Sequence, residues 1–215
     1  MYGGVGMINI SNEMNMKKSS GFTLIELVIV VVILGFLAAT AIPKFIDLTE
    51  QAKQANIEGM AGGFATGVSL ARAQWESEGR PTSNNVNRVD YDGTNFVLTT
   101  PPNPNPNTIR EGYPTGTAVG NATGENMNNA RCIEVWNGIF QQPPTISSVV
   151  ADLNDVDQNI DYLADTDNNL CVFYLKETLN KNGAGDYTNP GGSQSVGNNF
   201  TYNSATSAVI ININN

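Results

Sequence analysis

The chain has 215 residues, with 11 Lys plus Arg against 20 Asp plus Glu, a net charge of −9, no histidine and an apolar fraction of 40 %. That length suits one domain of roughly 100–200 residues plus an appendage. The missing histidine removes His-based catalytic triads, His metal ligands and imidazole pH switches, and eleven thinly spread basic residues argue against a nucleic-acid partner.

The first predicted element is apolar. No charged residue occurs from Leu27 to Pro43, and adding Phe22 to Glu26 gives a 22-residue segment with one ionisable group, Glu26. As a helix it reaches about 33 Å, enough for a hydrocarbon core of about 30 Å. It can be a plain transmembrane anchor oriented by Lys17 and Lys18. It can also be a secretory signal cut at Ala41, since Ala39, Thr40 and Ala41 form a small-x-small pattern. Neither role needs Glu26, whose carboxylate costs roughly 2.5–3.5 kcal/mol at a mid-helix membrane position.

A third reading uses that residue. Lys17 to Leu27 reads KKSSGFTLIEL, and this stretch resembles the N-terminus of type IV prepilins and of the related type II secretion pseudopilins. The resemblance implies that a prepilin peptidase cuts after Gly21 and methylates the new amine on Phe22. Residues 1–21 are then a cytoplasmic leader, and 22–43 a transmembrane helix that later enters a filament core. Implied partners are other pilin subunits in a homo- or heteropolymer, the peptidase, an assembly platform and an assembly ATPase. The implied locations are the bacterial inner membrane, single-pass with the head in the periplasm, then an extracellular pilus used for attachment. Physically, a freed Phe22 amine lies one helical turn from Glu26. Inside an apolar bundle each charge alone is costly, whereas a pair between neighbouring subunits is tolerable and fixes their axial register. The leader is long for such a peptide, so Met14 or Met16 is the expected start. Cleavage leaves 194 residues whose side chains sum to −10.

Beyond Pro43 the helical spacing persists through Phe45, Leu48, Ala52 and Ala55, and then Phe64, Val68, Ala71 and Trp75. One helix is therefore predicted from near Phe22 to about Glu78, kinked at Pro43 and stopped by Gly79, Arg80 and Pro81. Residues 44–79 form its soluble half. Gly59, Gly62, Gly63 and Gly67 each weaken that half by about 1 kcal/mol relative to Ala. They suit close approach to the protein's own sheet, to a neighbouring helix, or a local break. Gly59 to Arg80, with Asp90 to Gly93 and Tyr113 to Gly116, is similar to the mannose-sensitive haemagglutinin (MSHA) class of pilins, its minor subunits in particular.

Residues 80–215 form the predicted head. Asn, Gly and Pro number 29, 21 and 10, and 25 of the Asn follow Gly79, which predicts a turn-rich region. Phe96–Leu98, Cys171–Leu175, Phe200–Tyr202 and Val209–Ile213 alternate as antiparallel strands, with a last hairpin turn at Asn203 and Ser204. Pro101 to Pro106 is a stiff loop, and a short helix is expected over Asn129–Phe140, ended by Pro143 and Pro144. The expected class is α+β, the type IV pilin fold: a long N-terminal spine helix, transmembrane in its first half, packed on a C-terminal antiparallel β-sheet head.

Cys132 and Cys171 form either one disulfide, favoured in an exported chain, or two buried thiols. A bridge would tie the short helix to a strand. Asp152, Asp155, Asp157, Asp161, Asp165 and Asp167 crowd into 16 residues. Asp155, Asp157 and Asp161 fall at spacings that calcium loops use, although Ile160 and Thr166 occupy the positions where an EF-hand needs Gly and Glu. They are either calcium candidates or a solvated acidic loop. No nucleophile–base pair and no phosphate-binding glycine loop is present, and an enzyme would rest on Glu76 and Glu78, which read as helix-end surface charges. No cofactor and no catalytic residue is expected.

Overall fold

The computed structural model describes residues 21–103, 107–118, 120 and 122–214. Leader residues 1–20, with Lys17, Lys18, Met14 and Met16, and the centre of the Pro101–Pro106 loop lie outside the described residues.

Helix α1 runs from Leu24 to Ser77 without interruption, so Pro43 and the four later glycines are all accommodated within it. Its second half buries Ile57, Ala61, Phe64, Val68, Ala71 and Trp75. Steps of four and three residues place those side chains on one stripe. The helix ends where the sequence suggested, and the bonds explain why. Arg80 N–H reaches the Trp75 carbonyl (2.9 Å) and Gly79 N–H the Glu76 carbonyl (3.2 Å), with Gly79 at φ +82°. This is a Schellman closure, in which the left-handed residue favours glycine.

The head contains two sheets where the sequence predicted one. The first holds β1 (Thr82–Ser83), β2 (Val86–Tyr91), β3 (Thr94–Leu98) and β4 (Pro114–Gly116), all antiparallel. The second holds β5 (Ile146–Ser147), β6 (Tyr162–Asp167), β7 (Leu170–Leu175), β8 (Asn199–Asn203) and β9 (Ala208–Asn212). Within it β5 pairs with β6 in parallel, a departure from the all-antiparallel expectation, while the remaining pairs are antiparallel. The final turn also sits later than expected: Asn203 closes β8, and Ser207 at φ +64° precedes β9. Asparagine abundance has a direct structural use. Asn84–Asn85, Asp92–Gly93 and Asn168–Asn169 all adopt positive φ at two-residue hairpin turns, the geometry that suits right-twisted strands and that Asn, Asp and Gly tolerate best.

Helices α2 (Asn129–Ile139) and α3 (Val150–Asn154) complete the head. Asn128 caps α2 by accepting from Arg131 N–H at 3.0 Å. The α1 stripe, α2 and residues of both sheets share one core. Phe64 is its hub, with ring centroids 5.3 Å from Phe173, 5.5 Å from Phe200 and 5.2 Å from Tyr202. The β7 strand is buried on both faces: Cys171, Phe173 and Leu175 join that core, whereas Val172 and Tyr174 join a second one with Leu153, Leu163 and Leu179. Its continuous apolar run follows from having two covered faces.

The four glycines in the second half of α1 divide into two pairs. A Cβ on Gly67 would meet Ile139 Cγ2 at 2.3 Å and one on Gly63 would meet Phe140 at 3.4 Å, while Gly59 and Gly62 face open space. The close approach is therefore to the end of α2, not to the sheet, and the helix does not break there.

Burial raises the pKa of three core phenols. Desolvation acts first on Tyr162, then Asp161 and Glu177; it acts first on Tyr174, then Asp165 and Asp167; and it dominates at fully enclosed Tyr202. A raised native pKa contributes stability that is complete below the unfolded value of about 10 and is lost as pH rises through the native values. In an alkaline titration of the detergent-solubilised full chain, these phenolates are expected only together with loss of far-UV circular dichroism. Their ionisation near pH 10 with unchanged dichroism would contradict the packing.

Candidate functional site

The candidate site is the N-terminal junction and the apolar half of α1. Gly21 has open space around it and Phe22 is 78 % exposed, so the Gly21–Phe22 peptide lies in the open two residues before the helix begins. Thr23 and Glu26 then start the helix reciprocally. Thr23 N–H and its hydroxyl both donate to Glu26 Oε2 (2.9 and 2.7 Å), and Glu26 N–H donates back to Thr23 Oγ1 at 3.3 Å. This capping box satisfies donors that the first turn leaves without partners. Thr23 is not among the residues expected from the sequence, although the T-x-x-E spacing ahead of an apolar run carries that signal. Among the described residues, no cation contacts Glu26.

After Glu26 the helix exposes apolar side chains on every side, among them Leu24, Ile25, Val31, Leu34 and Phe36, each at least 58 % exposed. The span is long and apolar enough to cross a membrane, and none of its most apolar window is buried among the described residues. Contacts divide the chain after Ile46, so residues up to 46 form one unit and residues 47–215 another. Pro43 lies inside the helix near the end of the first unit. A helix apolar all round and exposed among the described residues is one that lipid or other helices would cover.

In the second unit Cys132 of α2 and Cys171 of β7 are joined by a disulfide, both fully buried, with Cα atoms 5.5 Å apart. The acidic stretch is dispersed. Asp155 Oδ1 accepts from Asp157 N–H (3.0 Å) in the turn after α3, whereas Asp161 Oδ2 accepts from Thr145 Oγ1 at 2.9 Å beside β5. Asp152 is bound to Ser147, and Asp167 to Gln194. Among the described residues no three acidic, histidine or cysteine side chains gather as a metal cage requires. The calcium candidates Asp155, Asp157 and Asp161 share the loop between α3 and β6 but do not gather into one cluster, since Asp155 and Asp157 meet in the turn after α3 whereas Asp161 is held by Thr145. Glu76 bridges Arg72 and Arg80 (3.1 Å each), and Glu78 accepts from Gln74 at 2.9 Å, which makes both part of the helix surface.

Comparison with known proteins agrees with this site. The prokaryotic N-terminal methylation motif matches residues 16–42. The chain is 46 % identical over 69 residues to the type IV narrow pilus major component PilA5 of Thermus thermophilus, covering 32 % of this chain and 58 % of that one. It is 36 % identical over 114 residues to the type IV major fimbrial protein FimA of Dichelobacter nodosus, covering 47 % of this chain and 70 % of that one. It is also 33 % identical over 97 residues to the type II secretion system core protein G of Vibrio cholerae, 45 % of this chain and 60 % of the other. The match to PilA5 thus spans a little over half of that protein's length. No solved structure matches the chain significantly. An exposed Gly–Phe junction, a helix that begins with an acid in its first turn and stays apolar all round, and a disulfide-stapled head of sheets define a class of helix-anchored subunits. The chain belongs to the type IV pilin family.

Proposed function

We propose that this protein is a structural subunit, of the minor MSHA-like kind, of a type IV pilus. It enters the inner membrane as a prepilin with its head in the periplasm. A prepilin peptidase removes residues 1–21, Phe22 is N-methylated, and an assembly platform and ATPase move the apolar helix into a filament for attachment. The observation that carries this reading is the exposed Gly21–Phe22 junction one helical turn from Glu26, on a helix whose apolar side chains are left exposed among the described residues. The buried disulfide suits an oxidising compartment. Pro43 is assigned to the exit of the helix from the apolar layer, where a lost backbone bond bends it at least cost.

Mass spectrometry of the mature N-terminus tests the proposal. A chain beginning at Phe22 with one added methyl group, recovered from sheared filaments, is the expected result. A chain beginning at Ile42 would instead mark a secreted domain released at Ala41. The relative in type II secretion favours a second reading, a pseudopilin. For that role, methylated Phe22 would be found with the subunit absent from surface filaments and needed for protein export.

A further inference from the structure

The dipeptide Asn–Gly occurs twice in the chain, at Asn137–Gly138 and at Asn182–Gly183. In this pair the glycine has no side chain to hinder attack of its backbone nitrogen on the asparagine side-chain carbonyl. Whether the attack occurs depends on the local backbone, and there the two sites differ. Asn137–Gly138 lies inside α2, where the helix commits Gly138 N–H to a backbone bond. Gly138 is also packed so tightly that a Cβ would meet Phe96 at 2.4 Å. Ring closure at that site requires the helix to open.

Asn182–Gly183 sits instead in the loop between β7 and β8, and residues 182–186 are all exposed. Asn182 Oδ1 accepts from Ala184 N–H (2.9 Å) and from Asp186 N–H (3.0 Å). The first bond folds the side chain back along its own backbone as an Asx turn, with the Gly183 nitrogen inside the ring so closed. Together the two donors polarise the carbonyl, and both stand at the distance that stabilises an oxyanion formed on it. Among the described residues no hydrogen bond uses Gly183 N–H, and Asn182 Nδ2 has one long contact, with Asp186 Oδ2 at 3.5 Å. Attacking and leaving nitrogens are therefore both lightly held.

We propose that Asn182–Gly183 is a site of spontaneous covalent modification, at which the side-chain amide becomes a carboxylate with water as the co-reactant. The Gly183 nitrogen bonds to Asn182 Cγ and gives up its proton, the Cγ–Nδ2 bond breaks, and ammonia carries that proton away from a succinimide ring. Water then opens the ring at either carbonyl. One opening leaves aspartate, the other isoaspartate, in which the main chain runs through the former side chain. Nothing is oxidised or reduced. Either product adds a negative charge beside Asp186 on an already acidic head. The loop is closed by Asn182 N–H on the Asp186 carbonyl (2.8 Å) and by the bridge between Lys181 and Tyr187, and this closure seats Tyr187 against the second core. Isoaspartate lengthens the main chain within that closure and loosens it, so the extent of conversion records the age of a subunit.

The test incubates the purified full chain in detergent at mildly alkaline pH and follows its peptides by mass spectrometry, with fragmentation that separates aspartate from isoaspartate. The peptide holding Asn182 should gain about one dalton at a rate on the order of 100-fold above that of the peptide holding Asn137, the scale set by misplacing reacting atoms. Gly183 has open space around it and is not among the left-handed glycines, so Gly183→Ala folds as the natural chain does. That variant should convert about tenfold more slowly with an unchanged urea midpoint. An unmodified Asn182, equal rates at the two asparagines, or Gly183→Ala converting at the natural rate would overturn the assignment.

Discussion

A full-length chain carrying Glu26→Ala should insert into the membrane and lose its leader normally, yet reach filaments on the order of 100-fold less than the natural chain. In the proposed filament the deletion would leave a neighbour's Phe22 amine unpaired inside an apolar bundle, and breaking one side of a buried pair costs about 3–5 kcal/mol. Glu26 also accepts both Thr23 donors, so the variant loses its capping box. That loss costs only about 1 kcal/mol, and Thr23→Val isolates it, because it removes the hydroxyl while sparing the carboxylate. Quantitative blotting of membranes and sheared filaments gives both numbers. Filaments that accept Glu26→Ala as readily as Thr23→Val would remove the pairing from the assembly mechanism.

Phe64→Ala should cost the head about 3–5 kcal/mol, the range for emptying a buried aromatic site. Phe64 is fully buried, and Trp136, Phe140, Phe173, Phe200 and Tyr202 all place their rings within 6.4 Å of it, centroid to centroid. These neighbours belong to α2 and its end, to β7 and to β8, and a hole at their meeting point has no single element that can collapse into it. Leu70→Ala, on the exposed side of the same helix, should stay within about 0.5 kcal/mol. Urea unfolding followed by tryptophan fluorescence compares the two. Equal midpoints would show that α1 does not nucleate the head's core.

Much of the anatomy was legible because it rests on short-range physics. The α1 stripe appeared as steps of three and four residues, its end as a glycine that tolerates left-handed geometry, and α2 as a short run before two prolines. Thr23 was equally legible from the T-x-x-E spacing and was overlooked. The strands with dense alternation, β3, β7, β8 and β9, were found in outline. The others were not, because β1, β4 and β5 hold only two or three residues, too few for a period to show, and the charged residues of β2 and β6 obscure theirs.

The amino-acid sequence alone determined that Glu26 sits one helical turn beyond Phe22 and that an apolar helix follows it, since both are defined by residues within one or two helical turns. Tertiary structure decided what depends on distant segments meeting. It divided the strands between two sheets with β5 running parallel, set α2 rather than a sheet against Gly63 and Gly67, and joined Cys132 to Cys171. It also kept the aspartates of α3, β6 and the loop between them from forming one cluster, and brought Arg72 to Tyr113. Local spacing fixes which face a residue occupies, but only the closing of long loops around a shared core fixes which faces meet.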